Sequence, residues 1–311
     1  MTDVKPTAIL LMGPTASGKT ALSVAMAQTL NAEIISVDSA LVYKDMNIGT
    51  AKPMLAERGG IPHHLIDILD PSESFSTGQF RARALALMED IKARGKLPLL
   101  VGGTMLYFSA LTQGLAKLPE ANAEIRQKLD QELLDLGKET MHARLAKVDP
   151  LAAARIHVND PQRIQRALEV YELSGRPLSS FFETDQQTDQ PFQFIKLIVS
   201  PEQRQTLHLK IAERFKQMLA QGFLNEVKAL QERGDLNETM PSIRCVGYRQ
   251  GWSYLNGEYD YDSMQEKAII ATRQLAKRQF TWLRKETDAV QLVSGADDLL
   301  ETALKHCRNH G

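Results

Sequence analysis

The sequence predicts an α/β fold in which a parallel sheet has helices on both faces and an all-helical domain is inserted in the chain. Short apolar runs at 8–12, 32–36 and 97–101 have the length and composition of buried strands, and helically spaced segments separate them. From about 118 to 190 helical patterns follow one another without a strand, and an apolar run at 192–200 then resumes the alternation. The length of 311 residues suffices for two domains.

The domain organisation follows from this alternation. We expect a first part of the α/β core at 1–117, a helical insertion domain at 118–190 and the rest of the core at 191–311, so the core is discontinuous in sequence. The insertion ends in the polar stretch ETDQQTDQP, which indicates a flexible exit.

Local patterns indicate where several helices begin and end. STGQ at 76–79 predicts a capping box that opens a helix. Asn-Asp at 159–160 can cap another helix, with Pro161 in its first turn. The amphipathic helix after the fourth strand contains Gly222, where we expect an interruption or a kink. The last helix candidate extends from 263 to about 285.

Composition and charge restrict the classes of function. Lys and Arg number 37 against 38 Asp and Glu, so a nucleic-acid site would have to be local rather than a property of the whole surface. No apolar run approaches the roughly 18 residues of a membrane helix, and no signal peptide is recognisable. We therefore expect a globular cytoplasmic protein without membrane contact. Cys245 and Cys307 provide neither a disulfide framework nor a four-ligand zinc site.

The strongest motif is GPTASGKT at 13–20, which fits the phosphate-binding pattern G-x-x-x-x-G-K-[ST]. It follows a predicted strand and opens a predicted helix, so the expected core is a P-loop NTPase-like parallel sheet. Backbone N–H groups and the helix N-terminus can surround a phosphate or diphosphate, Lys19 adds positive charge, and the Thr20 hydroxyl can bind Mg²⁺. The reaction stays open, because a diphosphate can be held for phosphoryl transfer or as a leaving group.

Other side chains narrow the reaction. Asp38 ends the second predicted strand, so we expect it near the phosphate loop, unless it only forms a turn or a helix cap. The strand at 97–101 is followed by Gly-Gly-Thr and not by the aspartate that usually helps ATPases hold magnesium, which argues against hydrolysis. The stretch 273–285 has five basic residues, no acidic one, and the aromatic Phe280 and Trp282. It suits an RNA-binding surface or an amphipathic helix with a core tryptophan.

Six motifs follow one another along nearly the whole chain: GPTASGKT, VDSALVYKDMNIGTAKP, LLVGGTMLYF, NDPQRIQRALEV, IRCVGYRQ and ATRQLAKRQFTWLR. Together they resemble the bacterial tRNA dimethylallyltransferase (tRNA isopentenyltransferase) family. The resemblance implies a P-loop core with a helical insertion that grips the tRNA anticodon stem-loop. It also implies transfer of the dimethylallyl group of dimethylallyl diphosphate to the exocyclic amine of the adenosine 3′ to the anticodon, with Mg²⁺ present.

The resemblance also implies roles for individual residues. Asp38 would accept the proton of the amine, Thr104 would position the adenosine, and Lys19 would neutralise the departing diphosphate together with Mg²⁺ on Thr20. The implied diphosphate-binding residues are Gly13, Pro14, Thr15, Ala16, Ser17, Gly18, Lys19, Thr20, Arg204 and Arg214. The implied tRNA-binding residues are Asp38, Ser39, Ala40, Leu41, Thr104, Gln162, Arg163, Ile164, Gln165, Arg166, Cys245, Val246, Gly247, Tyr248, Arg249, Gln250, Lys277, Arg278, Gln279, Phe280, Thr281, Trp282, Leu283 and Arg284. The adenine is expected to flip out of its stack to react.

One position departs from the family pattern. The family often has D-S-x-Q after the second strand, whereas Asp38 and Ser39 are followed here by Ala40 and Leu41. Leu41 therefore offers no side-chain amide to the substrate base.

Three other functions remain compatible with the motifs. A P-loop small-molecule kinase would bind ATP and need no RNA. A dimethylallyltransferase could use a free adenine nucleotide as acceptor, although the basic C-terminal stretch and the long insertion would then lack a purpose. A nucleotide-gated RNA-binding protein would have no catalytic activity. We expect a monomer without a protein partner.

Overall fold

The computed structural model describes residues 5–184 and 191–308. The flexible exit expected at 183–191 lies largely outside these residues. The chain divides into two compact units, one formed by residues 1–112 and 190–311 and the other by residues 113–189. No helix in the described part of the chain has the length and apolar character needed to cross a membrane.

The first unit contains a six-stranded sheet whose paired strands are all parallel. Its spatial order is β3-β2-β4-β1-β5-β6. The strands are β1 (Thr7–Met12), β2 (Ala32–Val37), β3 (His63–His64), β4 (Leu97–Gly102), β5 (Gln193–Ser200) and β6 (Val290–Val293). The central strand β1 pairs with β4 on one side and with β5 on the other. The predicted parallel sheet is confirmed.

The helices of the first unit precede and follow those of the second along the chain. In the first unit they are α1 (Lys19–Leu30), α2 (Thr77–Ala93), α3 (Met105–Thr112), α8 (Arg204–Ala220), α9 (Phe223–Glu232), α10 (Tyr248–Leu255), α11 (Tyr261–Leu283) and α12 (Leu299–Arg308). In the second unit they are α4 (Ala123–Val148), α5 (Pro150–Arg155), α6 (Pro161–Ser174) and α7 (Leu178–Thr184). Ser76 and Gln79 form the predicted capping box of α2, and Gly222, with a φ of 95°, separates α8 from α9.

Both faces of the sheet are apolar because helices cover both. Ile9 and Leu11 of β1 pack in one cluster with residues of α1 and α12. The alternate residues Leu10 and Met12 pack in a second cluster with residues of α2 and α3. This burial on both sides explains why the strands are continuous apolar runs in the sequence. Helices on both faces of the sheet, as predicted, are thereby confirmed.

The C-terminal part contains elements that the sequence patterns did not reveal. The helix expected at 263–285 is α11, but it is not the last, because β6 and α12 follow it. β6 has only four residues, which is too short for a periodicity signal, and it extends the sheet beside β5. The two-residue β3 forms the opposite edge of the sheet.

The second unit has its own small core, to which Leu129, Leu145 and Leu168 contribute. As predicted, Asp160 caps α6: its side chain accepts a hydrogen bond from the amide of Arg163 at 3.2 Å, and Pro161 follows in the first turn. A separate core of this kind is what an independently folding insertion requires.

A buried carboxylate stabilises the amino-terminal end of β2. Glu33 is 1% exposed, and its carboxylate accepts hydrogen bonds from Arg94, from Lys96 Nζ at 2.8 Å and from His64 Nε2 at 2.8 Å. The bonds from Arg94 above all, then those from Lys96 and His64, hold the pKa of Glu33 well below its usual range against the opposing effect of burial. This ion cluster connects β2 to the end of α2, the start of β4 and β3.

We expect Glu33→Gln to lower the free energy of unfolding by roughly 1–3 kcal/mol at neutral pH, because it removes charge-assisted hydrogen bonds in a buried place. Since the folded pKa of Glu33 is depressed, its stabilising effect is present above the unfolded value of 4.5 and is lost as the pH falls below it. Urea unfolding of both proteins between pH 7 and pH 3 measures this difference.

The matched control is Glu89→Gln, since the Glu89 side chain on α2 is 53% exposed and pairs loosely with Lys92. It should change stability by only a few tenths of a kcal/mol. A difference between wild type and Glu33→Gln that stays constant through acidification would contradict the assignment.

Candidate active site

The phosphate loop connects β1 to α1 at the centre of the sheet. Gly18 lies immediately before α1 with a φ of 85°, and Ala16 has a φ of 62°, so the loop is in the left-handed region at two positions. Glycine adopts that region without steric cost, which explains the glycine at 18. The loop places successive backbone N–H groups and the N-terminus of α1 around one point, as anion binding requires.

Lys19 lies folded over this loop. Its Nζ donates hydrogen bonds to the carbonyl oxygen of Gly13 at 2.9 Å and to that of Pro14 at 2.6 Å. Desolvation of the ammonium group lowers the pKa of Lys19 to about 8, although the nearby Asp38 carboxylate acts in the opposite direction. The two carbonyl groups therefore hold the positive charge of Lys19 beside the phosphate loop. An anionic ligand would compete with them for the Lys19 ammonium group.

Asp38 follows β2 directly at the carboxyl edge of the sheet. Its Oδ1 accepts hydrogen bonds from the amides of Ala40 at 2.8 Å and Leu41 at 3.3 Å, so the side chain does form a turn. Both bonds use Oδ1, and Oδ2 makes no hydrogen bond to another described residue. The turn and a chemical role for Asp38 are thus compatible.

Thr104 follows β4 and lies beside this turn. Its Oγ1 accepts a hydrogen bond from the amide of Ser39 at 3.1 Å, and its own amide donates to the carbonyl of Val37 at 3.2 Å. These two bonds join the ends of β2 and β4. The edge of the sheet therefore brings together the residues at 38–39 and 104, which lie far apart in the sequence.

A cavity of about 660 Å³ connects these groups within the first unit. It is lined by the phosphate loop, the turn after Asp38, Thr104, the loop at 49–53 and residues of α8, α10 and α11. Asp38 is the one acidic side chain among the described lining residues, whereas the basic ones are Lys19, Arg214, Arg244 and Arg278. Burial lowers the pKa of Arg214, and the Asp38 carboxylate opposes that shift. A cavity of this charge suits an anionic ligand beside one proton acceptor.

A carboxylate on α9, which is far away in the sequence, caps the loop at 47–49. Glu226 of α9 accepts hydrogen bonds from the amides of Asn47 and Ile48 at 2.8 Å and of Gly49 at 3.0 Å, and also from the hydroxyl of Tyr248. No local sequence motif predicts this contact, because Glu226 is 177 to 179 positions away from the three amides in the sequence. It fixes one wall of the cavity.

We expect Glu226→Ala to lower the free energy of unfolding by about 2–3 kcal/mol, because three amides and the Tyr248 hydroxyl lose a charged acceptor. Thermal unfolding followed by circular dichroism measures the effect. Glu232→Ala is the control on the same helix, since its carboxylate is 66% exposed and pairs with Lys228 at 3.7 Å. Equal melting temperatures of the two variants would show that the capping of 47–49 contributes little.

The two arginines expected at the diphosphate lie in different places. Arg214 lines the cavity. Arg204, at the first residue of α8, is exposed, and its guanidinium lies 5.8 Å from the centre of the Phe280 ring. Arg204 is not among the cavity-lining residues.

On α6, in the second unit, the expected RNA-binding residues differ in exposure. The Arg163 side chain is 70% exposed and lies 3.3 Å from Asp160. Arg166 instead donates to the buried Glu169 at 2.6 Å and to the carbonyl of Pro119 at 2.8 Å. Ile164 is 1% exposed in the core of the unit. Gln165 donates to the carbonyl of Arg126 at 3.1 Å.

The segment at 245–250 contributes to both the cavity and the core. Cys245 lines the cavity, and burial raises the pKa of its thiol to about 12, so it is a neutral thiol. Tyr248 is fully buried, donates a hydrogen bond to Glu226 and lines the cavity. Arg249 is exposed, and Gln250 accepts a hydrogen bond from the amide of Gly247 at 2.9 Å.

The end of α11 has one basic exposed face. The exposed residues of the expected RNA-binding stretch are Lys277, Arg278, Thr281, Trp282 and Arg284. Trp282 is 36% exposed, so it is not the core tryptophan that the alternative interpretation of this helix required. Leu283 at 4% and Gln279 at 8% exposure are buried, and Gln279 lines the cavity.

Comparison with known proteins decides the family. The family model described as IPP transferase matches residues 41–286, which is most of the chain. The chain belongs to the IPP transferase family. The resemblance that the six motifs indicated is thereby confirmed.

Curated members of the IPP transferase family are similar over nearly their whole length. A tRNA dimethylallyltransferase of Methylococcus capsulatus is 57% identical over 303 residues and is matched over 97% of each chain. A tRNA dimethylallyltransferase of Nitrosococcus oceani is 55% identical over 300 residues and is matched over 96% of each chain.

Solved IPP transferase structures have the same fold. The full-length tRNA isopentenylpyrophosphate transferase of Bacillus halodurans superposes with a TM-score of 0.72 at 35% identity, over 99% of this chain and 96% of its own. A eukaryotic dimethylallyltransferase, described as acting on tRNA, superposes with a TM-score of 0.81 at 29% identity, over 96% of this chain and 77% of its own.

Proposed function

We propose that this chain transfers the dimethylallyl group of dimethylallyl diphosphate to the exocyclic amine of the adenosine 3′ to the anticodon in tRNA. The observation that carries the proposal is a single cavity whose wall includes a phosphate loop, one acidic side chain and Thr104. The relatives named tRNA dimethylallyltransferase support the choice of reaction.

The donor's diphosphate would lie on the phosphate loop. Backbone N–H groups and the N-terminus of α1 would bind its oxygens, and Lys19 and Arg214 would add positive charge. As the amine nitrogen bonds to the first carbon of the dimethylallyl group, the bond between that carbon and the diphosphate oxygen breaks. Negative charge then grows on the leaving group, where the cationic groups stabilise it. Arg204, exposed and outside the cavity lining, is a weaker candidate for this contact.

The acceptor amine would lie at the other side of the phosphate loop, between Asp38 and Thr104. An adenine amine is a weak nucleophile because its lone pair is delocalised into the ring, so removal of its proton helps the bond form. Oδ2 of Asp38 would accept that proton, since Oδ1 is occupied by the amides of Ala40 and Leu41. The Thr104 hydroxyl, adjacent to the same turn, would hold the base in place.

Two hydroxyl groups fit a magnesium ion beside the phosphate loop. Thr20 lies in the first turn of α1 and lines the cavity. Ser36, near the end of β2, is 4% exposed, lines the same cavity and has a hydroxyl oxygen without a hydrogen-bond partner among the described residues. A buried hydroxyl of this kind suits a metal-bound water. We propose that Thr20 binds Mg²⁺ directly and that the ion, when bound, neutralises diphosphate charge.

The tRNA would be held by exposed basic residues on two units. On the first unit these are Lys277, Arg278, Arg284 and Arg249, with Trp282 as a stacking surface. On the helical unit at 113–189, Arg163 is the exposed candidate, and Arg166 is already paired with Glu169. We propose that this unit grips the anticodon stem-loop and that the chain acts as a monomer.

Transfer of label from radiolabelled dimethylallyl diphosphate tests the proposal. The acceptors are an unmodified anticodon stem-loop RNA with adenosine after the anticodon, the same RNA with guanosine at that position, and adenosine monophosphate. We expect label only in the first. Label in the mononucleotide would show that the acceptor is a free nucleotide. Consumption of γ-labelled ATP without prenyl transfer would favour a kinase.

A further inference from the structure

One side-chain amide joins the two loops that form the proposed reaction site. Gln279 lies on α11, and its Oε1 accepts a hydrogen bond from the amide of Thr15 in the phosphate loop at 2.9 Å. Its Nε2 donates a hydrogen bond to the carbonyl of Gly103 at 2.9 Å. Thr15 and Gly103 are 264 and 176 positions away from Gln279 in the sequence. The contact therefore exists only in the folded core.

The surroundings of Gln279 leave little freedom to this bridge. The residue is 8% exposed, so the two hydrogen bonds are shielded from water and are correspondingly strong. A Cβ atom at Gly103 would lie 2.3 Å from Nε2 of Gln279, so only glycine allows the amide to approach the backbone here. The residue after Gly103 is Thr104, and the loop that contains Thr15 continues to Lys19.

We propose that Gln279 is a positioning residue that sets the distance between the diphosphate loop and the Thr104 turn. The inference rests on the proposed function, in which these two loops hold the two reactants. A substitution at carbon needs the nucleophile, the carbon and the leaving oxygen in line, and small displacements of one reactant slow such a step strongly. The Gln279 amide ties the donor's loop to the acceptor's loop through the Thr15 amide and the Gly103 carbonyl.

Burial sets Gln279 apart from the exposed residues of the expected RNA-binding stretch. The residue belongs to the basic stretch 277–284 of α11, but its side chain points inwards while Lys277, Arg278 and Thr281 are exposed. Oε1 and one hydrogen of Nε2 are already bonded to the two loops. The bridge leaves one Nε2 hydrogen unused, so the kinetic test below has to separate positioning from an RNA contact through that hydrogen.

The central test compares Gln279→Met with Gln274→Met in steady-state prenyl transfer. Methionine keeps the length of the side chain and removes both hydrogen bonds. Gln274 lies on the same helix and is exposed, so its replacement controls for the change of residue type. We expect Gln279→Met to lower kcat roughly 10-fold, with the KM values for dimethylallyl diphosphate and RNA within about 3-fold of wild type. Gln274→Met should match wild type in all three constants.

A second variant keeps the test decisive if Gln279→Met folds poorly. Glu at 279 still accepts from the Thr15 amide, but its carboxylate cannot donate to the Gly103 carbonyl until it is protonated. The ratio of the Gln279→Glu rate to the wild-type rate should therefore rise as the pH is lowered from 8 to 5.5. A purely structural role predicts a loss of rate that follows the melting temperature and a ratio that does not depend on pH.

The outcomes separate the inference from the function it rests on. No RNA labelling by the wild-type chain would remove the proposed function itself. If the wild type is active and Gln279→Met has the same kcat and KM values, the positioning role is overturned. A defect confined to the KM for RNA would also overturn it, because it would indicate direct RNA contact. A lowered kcat together with a pH-dependent recovery of Gln279→Glu supports the bridge.

Discussion

Asp38→Asn is expected to lower kcat for prenyl transfer by on the order of 10²-fold or more, which is the contribution typical of a general base. The asparagine amide oxygen can still accept the hydrogen bonds that Oδ1 receives from Ala40 and Leu41, so the turn after β2 is preserved. The variant lacks the carboxylate oxygen Oδ2, which would accept the proton of the adenine amine. Single-turnover transfer with saturating RNA measures this step apart from product release.

The matched control for this variant is Asp45→Asn. Asp45 is exposed, lies seven residues beyond Asp38 and has a φ of 62°, a conformation that asparagine tolerates well. It should retain full activity. If Asp38→Asn binds RNA normally and reacts at the wild-type rate, Asp38 is only a turn residue and the base lies elsewhere. If RNA binding persists and neither wild type nor variant reacts, the chain is an RNA-binding protein.

Lys19→Met is expected to reduce kcat/KM for dimethylallyl diphosphate by roughly 10²-fold or more, because the leaving diphosphate loses a positive charge that would stabilise its growing negative charge. Lys305→Met, exposed on α12, controls for the change of residue type. Calorimetric binding of inorganic diphosphate with Mg²⁺ separates the loss of affinity from the loss of rate. An unchanged diphosphate affinity together with an unchanged rate would contradict a role for Lys19 at the phosphate loop.

The lowered pKa of Lys19 adds a dependence on pH to this prediction. The free protein has a Lys19 pKa of about 8, and a bound diphosphate anion raises it by stabilising the ammonium form. The Lys19 contribution to affinity is therefore complete below pH 8 and is lost as the pH rises above it. Diphosphate binding measured from pH 7 to pH 10 should show this loss in the wild type and not in Lys19→Met, which also corrects for titration of the ligand.

The sequence was informative where a structural role depends on consecutive residues. The phosphate loop, the capping box at 76–79 and the buried strands are local patterns, and the fold class followed from the strands and the phosphate loop. The family followed from six motifs in order along the chain. Asp38 could be placed at the carboxyl edge of the sheet because it ends a strand, whereas the position of Thr104 beside the reacting adenosine was implied only by the family resemblance. The interruption between α8 and α9 was predictable because a single residue, Gly222, marks it in the sequence.

Contacts over long sequence distances could not be predicted in this way. Glu226 caps the loop at 47–49 and Gln279 joins two loops, and neither residue belongs to a spacing pattern that distinguishes it from its neighbours. Basic residues at 277–284 indicate a surface, but they do not show which side chains of the helix point inwards. The strands β3 and β6 were not predicted, because they are too short to produce a recognisable sequence pattern.

The position of β1 between β4 and β5 has a consequence for the synthesis of the chain on the ribosome. The phosphate loop is encoded near the N-terminus, but the strand before it obtains its second neighbour only when residues 193–200 emerge, and the amide of Thr15 obtains its partner only when Gln279 emerges. The helical unit at 113–189 has a core of its own and can fold in the meantime. We therefore expect a nascent chain to acquire diphosphate affinity late in translation, after the helical unit at 113–189 has already formed.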